Sequence, residues 1–283
     1  MLRRCISHLL DAGCDAIFVS LNRQDEESAA VVDEISRSAE VKGAPVREFA
    51  RSEFDFLTDA VRQAESLFQP DRILVIDSDE FCVAESGPLQ SVSRLGSMDL
   101  LTIPRYNAAL TIGGEAELQN PIATLSTWVI PRLDERQSQH FATMRPELSW
   151  LTSRIGPKMI VRPAVVRSVW RGGHGIDSER PNMSQARAAD LAIVHFPFTT
   201  IERFKYKLDG IRARIGSFKP GEAGHWKTWL RAAEEGRLED LFTAQFFTSA
   251  EAAMLESQGL IESVRSILEA IPKLVILNEV KNL

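Results

Sequence analysis

The sequence predicts an α/β protein: a mostly parallel mixed sheet flanked by helices, with a helical C-terminal appendix. Three observations carry this. Residues 3–76 alternate helical and aliphatic strand-like segments, the pattern that lays helices over both faces of a parallel sheet. From Thr200 onward the apolar spacing is mostly helical. The 283 residues also suffice for a domain of about 200–220 residues plus an appendix. We divide the chain into 1–215 and a helical extension over 216–283, whose last stretch, Leu274–Leu283, has no assigned role.

The elements follow in order. Residues 3–12 read as a helix with Ile6, Leu9 and Leu10 on one face and Gly13 as its stop. Ala16–Leu21 is a buried strand, Asn22–Ser28 a polar turn, Ala29–Ala39 a helix and Val46–Phe49 a second strand. Ser52 and Asp55 match a capping box, which pairs two otherwise orphaned backbone donors, ahead of Leu57, Val61, Ala64 and Phe68 at helical spacing. Pro70-Asp71 ends that helix, and Arg72–Ile76 is a buried strand. Later strands are expected at Leu100–Pro104, Thr124–Ile130, Met159–Val169 with a break at Pro163, and Ala192–His195. Thr199 with Glu202 marks the start of a helix near Thr200.

The chemistry concentrates where Ile73–Ile76 runs into Asp77, Asp79 and Glu80. Ligands of open α/β sheets bind beyond the carboxyl ends of strands. Strand alternation places Asp77 and Asp79 on one side, and two close carboxylates repel until a cation relieves them. Magnesium or manganese suits such oxygen ligands, bridges phosphate oxygens, and stabilises a departing diphosphate as a Lewis acid. A bare D-x-D more often only ends a strand and caps a turn; here the preceding aliphatic strand and the following Glu80-Phe81 favour the site.

Composition excludes other classes. Net charge is −6, unlike the basic excess of a nucleic-acid binder. The three cysteines, Cys5, Cys14 and Cys82, form no CxxC pair, which argues against a disulfide framework or a structural zinc and fits a reducing compartment. No apolar run approaches the roughly 20 residues that span a bilayer. A cytoplasmic location, or a peripheral one at the inner face of a membrane, is expected.

The segment ILVIDSDEF resembles the D-x-D-E-F signature of family 2-type glycosyltransferases of the GT-A fold, in the branch with a downstream H-[FY]-P segment. Three stretches agree: SHLLDAGCDAIFVSL at Ser7–Leu21, RIGPKMIVRP at Arg154–Pro163, and HFPFTTIERFKYKL at His195–Leu208. The likeness spans roughly residues 4–215. It departs at the start, where the family has a strand ending in Asn-Glu and this sequence begins within the following helix. It departs again at Asn22-Arg23-Gln24-Asp25, where the family is more acidic.

The resemblance implies a GT-A-like, Rossmann-like sheet and transfer of a sugar, with inversion, from a nucleotide-diphosphate donor to a glycan, lipid-linked or small-molecule acceptor. Asp77 and Asp79 would hold Mn2+ or Mg2+, with His174 of the glycine-rich Arg171–Asp177 loop or His195 completing the shell. Asn22 and Asp25 would face the base or ribose, and Lys158 and Lys207 the diphosphate. Lys207 falls on the family's lysine, within a helix whose Arg203, Lys205, Arg212 and Arg214 give it a basic surface. Glu115, Glu117 and Asp134 are candidates for the base, and the sequence does not choose among them. Trp150, Trp170, Trp226 and Trp229 are either core residues or platforms for a sugar ring.

Two rivals remain. A D-x-D phosphatase wants Thr or Val where this chain has Phe81, and wants its motif on the first strand. A non-catalytic binding or scaffold protein derived from a truncated transferase accounts for the departure at the start.

Overall fold

The computed structural model describes residues 1–21, 26–45, 53–92, 95–111, 122–153, 155–197, 199–212, 215–217 and 224–270. Helix α1 (Leu2–Asp11) buries Cys5, Ile6 and Leu9. It ends as Gly13 predicts: with φ +95°, Gly13 donates to the Leu10 carbonyl and Cys14 to the Leu9 carbonyl, a pattern that satisfies the last carbonyls of the helix. Strand β1 (Ile17–Leu21) is joined through α2 (Glu26–Ile35) to β2 (Val41–Pro45), and the two strands pair in parallel. β1 is half-buried rather than buried, because only β2 borders it among the described residues. α2 starts earlier than its apolar spacing suggested. The expected strand at 46–49 and the Ser52 cap lie outside the described residues.

Helix α3 (Glu53–Phe68) leads into β3 (Ile73–Val75), and the chain turns back as β4 (Glu80–Ala84). Strands β5 (Leu100–Ile103), β6 (Arg105–Asn107) and β7 (Trp128–Val129) follow, then α4 (Glu135–Met144). The next strands are β8 (Lys158–Val161), β9 (Val166–Val169), β10 (Ile176–Ser178), β11 (Gln185–Arg187) and β12 (Leu191–His195). Helices α5 (Ile201–Arg212), α6 (Gly224–Glu234), α7 (Leu238–Thr243) and α8 (Ser249–Ser257) come after, then β13 (Glu262–Ser263) and α9 (Val264–Ala270). Pro163 breaks the Met159–Val169 region between β8 and β9 as expected. Only Trp128 and Val129 of the expected Thr124–Ile130 strand form a ladder.

The architecture is mixed α/β. The expectation of a mostly parallel sheet does not hold among the described residues. One sheet runs β11-β5-β8-β3, with β8 antiparallel to both neighbours; a second runs β4-β12-β6, with β12 antiparallel to β4 and parallel to β6. The β1–α2–β2 unit has the long crossover that parallel neighbours need, but the antiparallel pairs β3·β8, β5·β8 and β4·β12 join strands far apart in the chain, so local alternation of helix and strand does not set their direction.

The helical extension shares its core with the strands. Phe246, Val264, Ile267 and Leu268 pack with Phe81, Val83, Val129 and Val194, and β13 pairs with β7. The buried stripe of α5, Phe204, Leu208 and Ile211, packs on Trp229 and Leu230 of α6. The helix cap lies one residue later than read: the Thr200 hydroxyl accepts from the Arg203 amide, whereas the Thr199 hydroxyl is buried with no partner among the described residues.

Candidate functional site

β3 ends at Val75, so Asp77–Asp79 form a turn rather than a continued strand. The Glu80 amide donates to the Asp77 carbonyl at 3.0 Å, and the Glu80 carboxylate accepts from the Asp77 amide at 3.0 Å. Period-two alternation therefore stops before the motif, and Asp77 and Asp79 reach different partners. This corrects the expectation of a carboxylate pair on one side.

Lys158 enters from the first residue of β8 and is fully buried. Its ammonium meets Asp77 Oδ2 at 2.7 Å, Glu80 Oε2 at 3.0 Å and the Gly172 carbonyl at 2.8 Å. Three oxygens for three N–H groups is the satisfaction a buried ammonium requires. Arg105 of β6 donates to Glu80 Oε1 at 2.5 Å. Burial and the Asp77 carboxylate push the Glu80 carboxyl above its ordinary range, while Lys158 and Arg105 oppose them. Gly172 and Gly173 belong to the loop before β10, and both have positive φ. A side chain at Gly173 would collide with Val75, so the glycine lets the loop close over the end of β3.

Asp79 lies on the other side of the turn and is buried. Lys207 of α5 hydrogen-bonds Asp79 Oδ2 and also the Pro197 carbonyl at 2.8 Å, and Arg203 approaches the same oxygen at 4.0 Å. Burial alone would raise the Asp79 carboxyl; the Lys207 charge, with His195 and Arg203, holds it well below the usual carboxylate range. The Asp79 carbonyl accepts from the Phe196 amide at 2.8 Å, which ties the motif to the end of β12.

His195 closes this row. Its backbone faces Glu80 on β4 and Asn107 on β6 in the ladders. Its Nδ1 pairs with Asn107 Oδ1 at 2.9 Å, while the Asn107 amide nitrogen donates to the Leu151 carbonyl. With Asn107 so oriented, His195 Nδ1 carries the proton. The lone pair of Nε2 is then turned to Asp79 Oδ1 at 3.8 Å. Burial pushes this imidazole down to about 3, against the attraction of Asp79.

His174 sits in the Gly172–Gly175 loop, its ring pressed against Gly156 and Gly172, with Nδ1 on the Pro157 carbonyl at 2.9 Å. Desolvation lowers its basicity. It packs beside Lys158 rather than on Asp79. Of the expected shell, only Asp79 and His195 turn lone pairs toward one another. Asp77 gives Oδ2 to Lys158 and is otherwise 56% exposed, and no group of three His, Cys, Asp or Glu side chains arranged to hold a metal occurs among the described residues. Asp79 Oδ1 and His195 Nε2, 3.8 Å apart, are the two groups of the expected shell that lie together, with Lys207 and Arg203 on the other Asp79 oxygen.

The structure thus brings Asp77, Asp79, Lys158, Lys207, His174 and His195 to one end of β3. Other candidates stand elsewhere. Asn22, Asp25, Glu115 and Glu117 lie outside the described residues. Asp134 is the N-cap of α4, accepting from the Gln137 amide at 2.7 Å in a full capping box, so its carboxylate has a structural duty. Trp150, Trp226 and Trp229 stack edge to face in the core. Trp170 is 47% exposed, laid over Gly175 and held by Asp177 at 3.1 Å. His8 packs against β4, with Nε2 on the Cys82 carbonyl at 2.7 Å. Sequence reasoning missed Arg105 and Asn107; their only signal is the alternation of polar residues in Arg-Tyr-Asn after Pro104.

No protein-family model matches the chain, and no curated protein matches it. Among solved structures it is similar to HddC from Yersinia pseudotuberculosis, at 12% identity and TM-score 0.37, covering 73% of this chain and 82% of that one. A second structure of HddC, complexed with GMP-PN, gives 12% identity and TM-score 0.34 over 69% and 78% of the two chains. Likeness at this level carries no functional argument. No described helix is long and apolar enough to cross a membrane.

Proposed function

We propose that this protein is a nucleotide-sugar-dependent glycosyltransferase with a GT-A-like catalytic region, moving a sugar from a nucleoside-diphosphate donor to an acceptor hydroxyl. One observation carries the reading: residues from four separate segments, Asp77–Glu80, Lys158, His195 and Arg203–Lys207, converge on one turn at the carboxyl end of a strand. Structural ion pairs alone do not call for a neutral histidine with its lone pair turned toward a carboxylate.

The residues divide the work. Lys207 and Arg203 present positive charge where a diphosphate would leave, stabilising charge that develops in the transition state. Asp79 and His195 would hold the metal, which when bound supplies Lewis-acid stabilisation of the departing diphosphate. Asn107 fixes the tautomer and orientation of His195, as an outer partner does for a ligating imidazole. Lys158, Glu80 and Arg105 hold the turn in shape. Trp170 offers an exposed aromatic face suited to the apolar C–H surface of a sugar.

The test is release or transfer of sugar from a panel of nucleotide sugars with manganese. We expect activity with at least one donor. Asp79→Asn should lower it by about two orders of magnitude or more while the circular dichroism spectrum is kept. Absence of both turnover and binding across the panel would overturn the transferase reading. It would favour the scaffold alternative, in which the internal counterions of all three carboxylates are the whole purpose of the cluster.

A further inference from the structure

Trp150, Trp226 and Trp229 pack together in the core, whereas Trp170, just past the end of β9, keeps 47% of its surface exposed. Exposure alone is ordinary for a single apolar residue. What sets Trp170 apart is how firmly it is held. The benzenoid half of its ring lies over Gly175, so close that a Cβ there would meet ring carbons at 2.6, 2.9 and 3.1 Å. Gly175 has no positive φ, so a glycine at this position serves the approach of the ring rather than a turn. The Trp170 amide donates to the Gly175 carbonyl at 2.8 Å, and the indole Nε1–H donates to Asp177 Oδ1 at 3.1 Å. Asp177 is fixed in turn. The Ser168 hydroxyl donates to its Oδ2 at 2.5 Å, and the two residues face each other in the β9–β10 ladder.

The indole thus rests on backbone through one face, opens to solvent, and carries a carboxylate at its edge. The bonds from Ser168 and Trp170 hold the Asp177 carboxyl below its ordinary range, so it is ionised at neutral pH, and Arg167 offsets its charge from nearby. With one such bond on each oxygen, the carboxylate keeps lone pairs for further donors. We propose that Trp170, Asp177 and Ser168 form a platform for a neutral saccharide, and that this saccharide is the acceptor. A sugar ring lays its apolar C–H face on the indole, and its rim hydroxyls donate to the carboxylate in charge-assisted hydrogen bonds. A nucleotide would also stack, but its phosphates would meet Asp177. Because the indole is already pinned, little side-chain freedom is lost on binding.

The place of the platform selects the acceptor class. The loop that follows Trp170 gives the Gly172 carbonyl to Lys158, whose ammonium also holds Asp77. Chain geometry therefore keeps the Trp170 backbone within about 15 Å of the Asp77 carboxylate. A short oligosaccharide spans that gap. The donor diphosphate belongs at Lys207 and Arg203, on the other side of the turn. The role as acceptor rests on the transferase reading; saccharide binding at Trp170 does not.

The full chain is labelled with fluorotryptophan, so that each of its five tryptophans gives a fluorine resonance, and Trp170→Phe identifies the one at issue. The labelled protein is titrated with neutral gluco-, manno-, galacto- and N-acetylglucosamine oligosaccharides at millimolar concentration, and separately with nucleoside diphosphates. Calorimetry gives the affinities. We expect at least one oligosaccharide to move the Trp170 resonance and leave the other tryptophans in place. Trp170→Ala should weaken that saccharide by about tenfold or more, and Asp177→Asn by about threefold.

A Trp170 resonance that no oligosaccharide moves overturns the proposal. So does a saccharide that binds Trp170→Ala as tightly as the wild type, or a nucleoside diphosphate that moves the resonance in place of any saccharide. If Trp170→Ala does not fold, the titration of the wild type still decides. Saccharide binding at Trp170 in a protein that turns over no nucleotide sugar would leave the platform standing while the transferase reading falls. Turnover with a Trp170 resonance indifferent to every oligosaccharide would do the reverse.

Discussion

Two lysine–carboxylate pairs flank the same turn, and they differ in kind. Lys158 is wholly enclosed, bonded to Asp77, Glu80 and a backbone carbonyl. Lys207 reaches Asp79 from the edge of the site, one-quarter exposed, with Arg203 standing beside the same oxygen. In the first, the ammonium and Glu80 are fully buried while Asp77 is 56% exposed, so Lys158 itself is fixed in the fold. The second is partly exposed, has Arg203 beside it and His195 opposite, and under the proposed function it would face the ligand. The two pairs thus invert their burial: an enclosed lysine on an exposed Asp77, and a part-exposed lysine on a buried Asp79.

The largest expected effect is on the enclosed pair. Lys158→Met leaves Glu80 buried with only Arg105 opposite, and removing one member of a buried pair costs about 3–5 kcal/mol. A urea denaturation midpoint should fall accordingly. A loss no larger than that of a surface substitution would break the contrast between the two lysines. Lys207→Met should cost less, roughly 2 kcal/mol, since Arg203 remains near Asp79 and solvent reaches the site. The same denaturation experiment ranks the two.

A third prediction concerns acid. The folded-state pKa of His195 is depressed to about 3 from the usual 6.5, so the unfolded chain takes up the proton more readily. The stability from keeping it neutral is full above pH 6.5 and is lost as pH falls from there toward 3, by about 1 kcal/mol per pH unit near pH 6. His195→Gln should flatten that slope. Asp79, depressed below the carboxylate range, contributes stability present above the unfolded carboxylate pKa and lost only at more acid pH, so the two arms are separable. The smallest effect is expected at Asp134, where Asp134→Ala removes a cap worth about 1 kcal/mol or less and should leave diphosphate affinity unchanged. A large loss of turnover there would restore Asp134 as the base.

Much of the site was legible because its signals are local. An aliphatic run ending in Asp77-Ser-Asp79-Glu80, a strand ending in His195, and a basic helix carrying Lys207 each show in a short window, and the resemblance set them in order. Arg105 and Asn107 were not legible. They matter because three-residue β6 pairs in parallel with β12, which sets Asn107 beside His195 across nearly ninety positions. The sheet was misread for the same reason. The early alternation of helix and strand describes β1–α2–β2 well, yet nothing near Ile73 shows that β8 will insert antiparallel between β3 and β5. Trp150, Trp226 and Trp229 were ambiguous until packing placed them together in the core. Thr199 and Thr200 have equal capping chemistry, and only the start of α5 chooses between them.

The most direct test is a crystal structure with a bound nucleoside diphosphate and Mn2+. The account predicts the diphosphate against Lys207 and Arg203, with the metal between it, Asp79 and His195. A diphosphate bound elsewhere, with the Lys207–Asp79 pair intact, would contradict it.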